Sequence, residues 1–362
     1  MVIGRTLALY FSGKFLRTTL SMFMSVFFLI WTLDFVELMR RAGDAPGATT
    51  RLMAQLALYR TPSVAEQVLP FAILFGSMAT LLILSRKLEL VIARSAGISA
   101  WQFLLPGLAV SALIGVVSVT LYNPVSAELK QRAASLEASI FARFGKVASG
   151  KDLWLRQNGT DGQSIIRAAS ALDGGKRLAQ VTFFSFEPSG AFRERAEARE
   201  ATLHDGYWEL REARIMSALQ EPQSYDTFLI ATNLEVEQVR QSFTPPEAVP
   251  FWELDSVIER TERAGLDATK YRLRQSSLLA RPLLLIAMTL VAASVSLRFF
   301  RFGGVAKMVL AGVAAGFVLY VGTELTGDLG SAGVIRPVVA AWLPAILGTA
   351  LGVLALLHLE DG

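Results

Sequence analysis

Long apolar runs on either side of a charged, helix-periodic island constrain this chain more than any other feature. The island, Ser85–Ala100, reads SRKLELVIARSAGISA, and no bilayer span would hold Arg86, Lys87, Glu89 and Arg94 this close together. It therefore lies outside the hydrocarbon. Its Lys and Arg content assigns it to the cytoplasmic side. Leu88, Val91, Ile92 and Ser95 fall at helical spacing and leave the charges on another face, and Gly97 then ends the helix. A short amphipathic helix of this kind can dock its apolar face into a groove on a soluble partner, or it can simply lie solvated at the headgroup level.

Hydrophobic residues make up 52% of the 362 positions and charged residues 18%, a mixture that requires membrane spans together with a polar domain. The net charge of +4 comes from basic loop anchors. No Lys/Arg run is interleaved with aromatics, so no nucleic-acid partner is expected. There is no cysteine, which excludes a disulfide framework and any Cys-ligated metal or iron–sulfur centre. The two histidines, His204 and His358, lie far apart and read as strand-edge or interface residues, with no metal site expected.

Arg5, Lys14 and Arg17 precede a first apolar run, SMFMSVFFLIWTLDFV, which is longer than a signal-peptide core and is followed by no small-residue cleavage site. It reads as a retained span with a cytoplasmic N-terminus. After the polar connector RRAGDAPGATTR, a second span is expected from about Tyr59 to Leu84, with Pro62 near its start and a kink at Pro70. The third runs from Trp101 to about Tyr122. Hydrophobicity then collapses to about Gln275: a helical lead-out, SAELKQRAASLEASIFARFG, gives way to near-alternating segments. DLWLRQ, QSIIRAAS, RLAQVTFFSFE, FRERAEAREATLH, YWELREARIMS, YDTFLIA and LEVEQVR read as strands between Gly-rich turns. FRERAEAREATLH is also rich enough in Ala, Glu and Arg to suit a helix. Strands this short and this closely spaced predict a sandwich, jelly roll or open barrel. A polar helical segment with a break at Gly265 leads into spans at Leu278–Leu297, Val305 to about Thr326 and Pro337 to about Leu357. The basic clusters at the N-terminus, at 86–94 and at 298–307 place both termini in the cytoplasm. The expected fold is thus an α-helical membrane protein with six transmembrane helices, three (1–122, with the cytoplasmic helix at 85–98) and three (276–362). An extracytoplasmic, jellyroll-like all-β domain (123–275) is inserted between them.

Sequence signatures of catalysis are missing. There is no G-x-x-x-x-G-K-[ST], G-x-S-x-G or H-E-x-x-H, and Gly303-Gly304 is followed by Val-Ala-Lys without the hydroxyl that would hold magnesium. The chain is expected to be a non-enzyme that hydrolyses no ATP and binds no cofactor. Asp34, Glu37, Glu66, Glu324 and Asp328 fall near span ends, close to the outer interface, where an ionisable group costs less than the ~2.5–3.5 kcal/mol of mid-bilayer.

Several stretches together resemble the LptF/LptG permease family, which exports lipopolysaccharide from the inner membrane of Gram-negative bacteria. They are FVELMRRAGD, YRTPSVAEQVLPFAILFG, SRKLELVIARSAGIS, LDSVIERTERAGLDATKYRLRQSSLLARPL and AAGFVLYV, and the resemblance covers nearly the whole chain. Arg40-Arg41 and the Leu-to-Arg elbow favour the LptG branch. The resemblance implies a half-transporter of the bacterial inner membrane with its β domain in the periplasm. It would pair with an LptF-like permease, bind an LptB-like ATPase dimer that carries the ATP and magnesium, and hand lipid to an LptC-like, membrane-anchored periplasmic protein and a bridge. It further implies that the cytoplasmic helix, with Arg86, Glu89, Arg94 and Gly97, is the ATPase-coupling element. Arg40 and Arg41 would meet lipid A phosphates, and Phe317 and Tyr320 would line a cavity gated by the first and fifth spans. Where some relatives carry a lysine in the first span this sequence has Asp34, which argues against a phosphate contact at that depth.

Two other classes remain open on the residues alone. A secondary transporter with three-plus-three repeats would show interrupted helices at matched positions, and only Pro70 suggests an interruption. A membrane-anchored scaffold or sensor would need only the β domain and its anchors.

Overall fold

The computed structural model describes residues 4–42, 49–143, 153–159, 162–172, 175–187, 190–217, 220–233, 245–263, 267–302 and 304–360. The helices are α1 (Arg5–Ala42), α2 (Thr50–Arg86), α3 (Glu89–Ser95), α4 (Ala100–Val117), α5 (Asn123–Arg143), α6 (Phe251–Arg263), α7 (Thr269–Phe302), α8 (Val305–Ser331) and α9 (Pro337–Glu360). A π-helical turn, Ser118–Tyr122, joins α4 to α5 without a break. Counting α4 with α5 as one rod, six helices are long and apolar enough to cross a membrane. Helices suit that environment because they satisfy every backbone polar group internally.

Every expected span is present, but the helices outrun the apolar runs. The second begins at Thr50, capped by Thr49, whose side chain accepts from the Leu52 N–H, so Pro62 lies well inside it and not near its start. α2 continues through Pro62 and Pro70 as one helix. α8 likewise carries Asp328 to Ser331, where a loop was expected. The helix–helix entry into the fourth span matches the expected break, although Gly265 itself lies outside the described residues.

α7 is the hub of the bundle, packed on α2, α4, α8 and α9. Its Thr289 is fully buried, with Oγ1 2.6 Å from Ser111 Oγ and 3.4 Å from Ser77 Oγ, so one hydroxyl group knits three spans. Close approach is enforced by Gly115, where a Cβ would come within 2.5 Å of the Pro282 Cα. Backbone atoms cannot move aside as a side-chain tip can, so Gly115→Ala is expected to destabilise the bundle by about 1–3 kcal/mol. The check is a lower thermal unfolding midpoint in detergent micelles.

The middle of the chain forms one antiparallel sheet of six strands in sequential order: β1 (Leu153–Gly159), β2 (Gly162–Leu172), β3 (Arg177–Phe186), β4 (Phe192–His204), β5 (Tyr207–Ser217) and β6 (Gln220–Ala231). The Ala-rich FRERAEAREATLH is strand β4 over its whole length, because its alanines 196, 198 and 201 fill the inner face and its charges face out. β6 starts five residues before the expected YDTFLIA. It tolerates Pro222 because, among the described residues, it is an edge strand with no partner beyond it. The segment LEVEQVR lies outside the described residues.

A single meander encloses a core because the sheet turns a corner. Pairing lapses along the row Ala169, Gln180, Arg199, Glu212 and Asp226, while the register on either side stays the same. Gln180 and Glu212 take left-handed backbone there, with φ of 49° and 52°. The in–out alternation changes phase across the row, so Leu178 and Val181 both point inward, as do Ala198 and Ala201, and Leu210 and Ala213. The strands thus keep one inner face through the bend, around Trp208, Phe183, Leu203 and Ile166. At the far side Thr232 Oγ1 donates to Gln157 Oε1 at 2.6 Å, drawing the end of β6 toward β1.

Candidate functional site

At the charged island, Leu88 ends α2's turn in a left-handed conformation, φ 61°, and α3 begins at Glu89. Leu90 and Ala93 pack into the bundle, whereas Leu88, Val91 and Ile92 are 59%, 58% and 64% exposed. That leaves an uncovered apolar ridge, flanked by the exposed Arg86 and Arg94 and closed by Gly97 at φ +83°. The Arg94 guanidinium sits 6.0 Å from the Phe103 ring. Ser99 and Gln102 form a capping box that restarts the chain as α4.

Glu89 is not on that open ridge. Lys14 Nζ donates to both of its oxygens, at 2.7 and 2.8 Å, and the Tyr10 hydroxyl lies 3.1 Å from each. Burial pushes the carboxyl up, but the hydrogen bonds from Lys14 and Tyr10 outweigh it and hold Glu89 below the usual glutamate range. At neutral pH it therefore stays ionised and fastens α3 to α1. Phe11 and Phe15, both 1% exposed, complete that attachment against Leu84, Leu90 and Phe103.

The last turn of α1 carries the basic pair. The Arg40 guanidinium forks onto both oxygens of Glu37 at 2.8 and 2.9 Å, and Arg41 Nε donates to the same carboxylate at 2.7 Å. Two positive charges against one negative leave an excess of one. Asp34, one turn deeper, faces Arg60 of α2 at 3.7 Å, and Arg60 in turn lies 4.0 Å from Glu137 of α5. An acidic residue at that depth thus serves a helix–helix ion pair.

α1 and α8 are the least buried of the six spans. α1 presents Leu20, Phe28 and Leu33 outward, and α8 presents Leu310, Phe317 and Val318. Phe317 is 57% exposed, and the Tyr320 ring lies 5.3 Å from Phe71 of α2. α8 approaches α2 closely because of Gly312 and Gly316, where a Cβ would meet Met78 and Leu74 side chains at 2.4 Å.

Sequence reasoning missed the strongest polar feature of the spans. Glu66, expected near the interface at modest cost, is 3% exposed, and its Oε1 accepts from Arg281 Nη1 at 2.5 Å, Arg274 Nη2 at 3.0 Å and Asn123 Nδ2 at 3.0 Å. The readable signal was Arg281, a cation inside the apolar run of the fourth span, which needs an acidic partner in the bundle.

The island, the basic pair and the two open faces do not form one pocket. They mark two ends and the flanks of a bundle. Among the described residues no group of three His, Asp or Glu side chains could hold a metal ion.

Comparison with known proteins agrees with this layout. The family model for the lipopolysaccharide export system permease LptF/LptG matches residues 9–358. The chain is 22% identical over 346 residues to the lipopolysaccharide export system permease protein LptG of Escherichia coli strain K12, covering 92% of this chain and 93% of that protein. It is also 22% identical over 353 residues to the protein of that name from Haemophilus influenzae, covering 94% and 95%. With six apolar helices and an inserted sheet matching the family along almost its full length, this multi-pass membrane protein belongs to the LptF/LptG family of lipopolysaccharide export system permeases.

Proposed function

We propose that the chain is one permease half of an ATP-driven exporter that draws lipopolysaccharide from the outer leaflet of the inner membrane and passes it through the β domain to a periplasmic bridge. The observation that carries this reading is the pair of uncovered apolar faces on α1 and α8 in a member of this family. Span faces rich in Leu, Phe and Val suit an LptF-like partner and the acyl chains of a lipid enclosed between the two permeases. The single excess charge at Arg40 and Arg41 suits a lipid phosphate, which an arginine fork binds in two hydrogen bonds and for which Glu37 is the competing anion. Phe317 and Tyr320 stand on the α8 face that would line the cavity.

On the other side of the membrane, the Leu88, Val91 and Ile92 ridge fits the groove of an LptB-like ATPase, with Arg86 and Arg94 at its rim and Gly97 giving α3 its sharp end. Glu89 then acts by fastening α3 to α1. Arg86–Arg94 would be cytoplasmic together with both termini, and the sheet periplasmic, where an LptC-like protein could meet it. ATP and magnesium belong to the ATPase in this scheme. A scaffold role without transport is disfavoured by the exposed ridge, which an anchor has no need of.

The test is photo-crosslinking from positions 40, 41, 317 and 320 in cell membranes. Lipopolysaccharide adducts from both the outer end of α1 and the α8 face are expected. Adducts to phospholipid alone at all four positions would remove the substrate role of these residues.

A further inference from the structure

The most deeply held charge in the spans takes no part in either surface described above. Glu66 on α2 receives Arg281 and Arg274 from α7 and Asn123 from the first position of α5. Asn123 is fully buried and uses both ends of its amide: while Nδ2 donates to Glu66, Oδ1 accepts the Phe251 N–H at the first position of α6 at 2.9 Å. α5 is the stem by which the chain leaves the bundle for the β domain, and the segment leading into α6 is the stem by which it returns. Both stems therefore meet at the Asn123 amide, which the Glu66 carboxylate holds.

Other bonds close the same knot. Trp252 Nε1 donates to the Thr120 carbonyl in the π-helical turn, and the Tyr122 hydroxyl donates to the Pro62 carbonyl on α2. Farther along, Gln131 Nε2 donates to the Ala248 carbonyl at 2.6 Å and Lys130 pairs with Glu247, so the stems also hold each other. From Glu66 α2 runs unbroken to Arg86, about 30 Å at 1.5 Å per residue, and there it passes directly into α3.

We propose that Glu66, Asn123, Arg274 and Arg281 form the joint that fixes both stems of the β domain to α2 and α7, so that displacement of α2 at its cytoplasmic end is delivered to the β domain. This rests on the reading above that α3 is driven by an ATPase. Glu66 and Asn123 are positioning residues in this scheme and touch no substrate. A carboxylate matched by two guanidiniums is a stiff, directional tie, because loosening any member strands a buried charge.

The chain has no cysteine, so spin labels can be placed at will. Labels at Ile83 on α2 and Glu128 on α5, both exposed, straddle the joint. In nanodiscs the unaltered chain is expected to give one narrow distance distribution. Asn123→Leu, which removes the bridge from Glu66 to the Phe251 N–H yet leaves the Glu66 ion pairs, is expected to broaden it. Glu66→Gln, the second variant, is expected to broaden it further. In the assembled transporter Asn123→Leu is expected to leave ATP hydrolysis close to that of the unaltered chain while lipid release falls about tenfold. A distribution that stays narrow in Asn123→Leu overturns the joint, whatever Glu66→Gln does. So does a parallel loss of hydrolysis and release, which is what a merely structural cluster would give, and so does broadening with release unchanged. If the unaltered transporter releases no lipid on ATP addition, the exporter reading fails by itself. The distance measurement then still decides the joint, supporting it if Asn123→Leu broadens the distribution and overturning it if not.

Discussion

Replacing Val91 and Ile92 together by glutamate is expected to abolish association with the ATPase while leaving the permease folded. Both side chains are more than half exposed and contribute nothing to the buried core, whose contacts on α3 come from Leu90 and Ala93. The fold therefore loses little. An apolar groove that must accept two carboxylates loses the burial of both side chains and desolvates two charges, at about 2 kcal/mol or more each, which is ~1000-fold in Kd for the pair. Co-purification from membranes reads the effect directly. Retention of the ATPase at the unaltered ratio would mean that the ridge is only a solvated turn.

The second large effect is expected at Trp208. It is fully buried where the two limbs of the bent sheet face each other, edge-on to Phe183 with ring centroids 6.0 Å apart. Trp208→Ala should cost the β domain about 3–5 kcal/mol, enough to consume much of the stability of a domain this size. The expected readout is rapid protease cleavage between residues 153 and 231 with the helical bundle left intact. Trp208→Phe keeps most of the apolar volume. Among the described residues the indole N–H has no hydrogen-bond partner to lose, so the milder variant should resist protease nearly as well as the unaltered chain. Equal sensitivity of the two variants would show that the cavity is not the cause.

How much of this could be read beforehand depended on whether the cause was local. The spans were legible because each apolar run is a property of adjacent residues, and β4 was legible despite its Ala, Glu and Arg content because alternation holds on either side of Arg199. Helix ends were not, since they depend on neutralisation and capping: α1 carries on through Arg40 and Arg41 because Glu37 answers them one turn back, and α2 starts early because Thr49 caps it. The corner in the sheet escaped notice because Gln180 and Glu212 are not residues that ordinarily adopt left-handed backbone. It takes the neighbouring strands to impose it.

The site was legible in pieces. Position and charge marked out the island, and the family resemblance pointed to Arg40, Arg41, Phe317 and Tyr320, but which charges pair is a tertiary fact. Glu89 looked like a rim charge and proves to be tied to Lys14, 75 residues away, and Glu66 meets its arginines 208 and 215 residues along the chain. Apart from the cation inside the fourth span, nothing local distinguishes Glu66 from the other carboxylates near span ends.

The most direct test of the account is lipid release from proteoliposomes that hold this chain with its partner permease and ATPase, together with a soluble periplasmic acceptor. Adding ATP and magnesium is expected to move lipopolysaccharide onto the acceptor, and omitting either this chain or ATP should stop it. Transfer that continues at the same rate without ATP, or with this chain left out, would contradict the claim that it is half of an ATP-driven exporter.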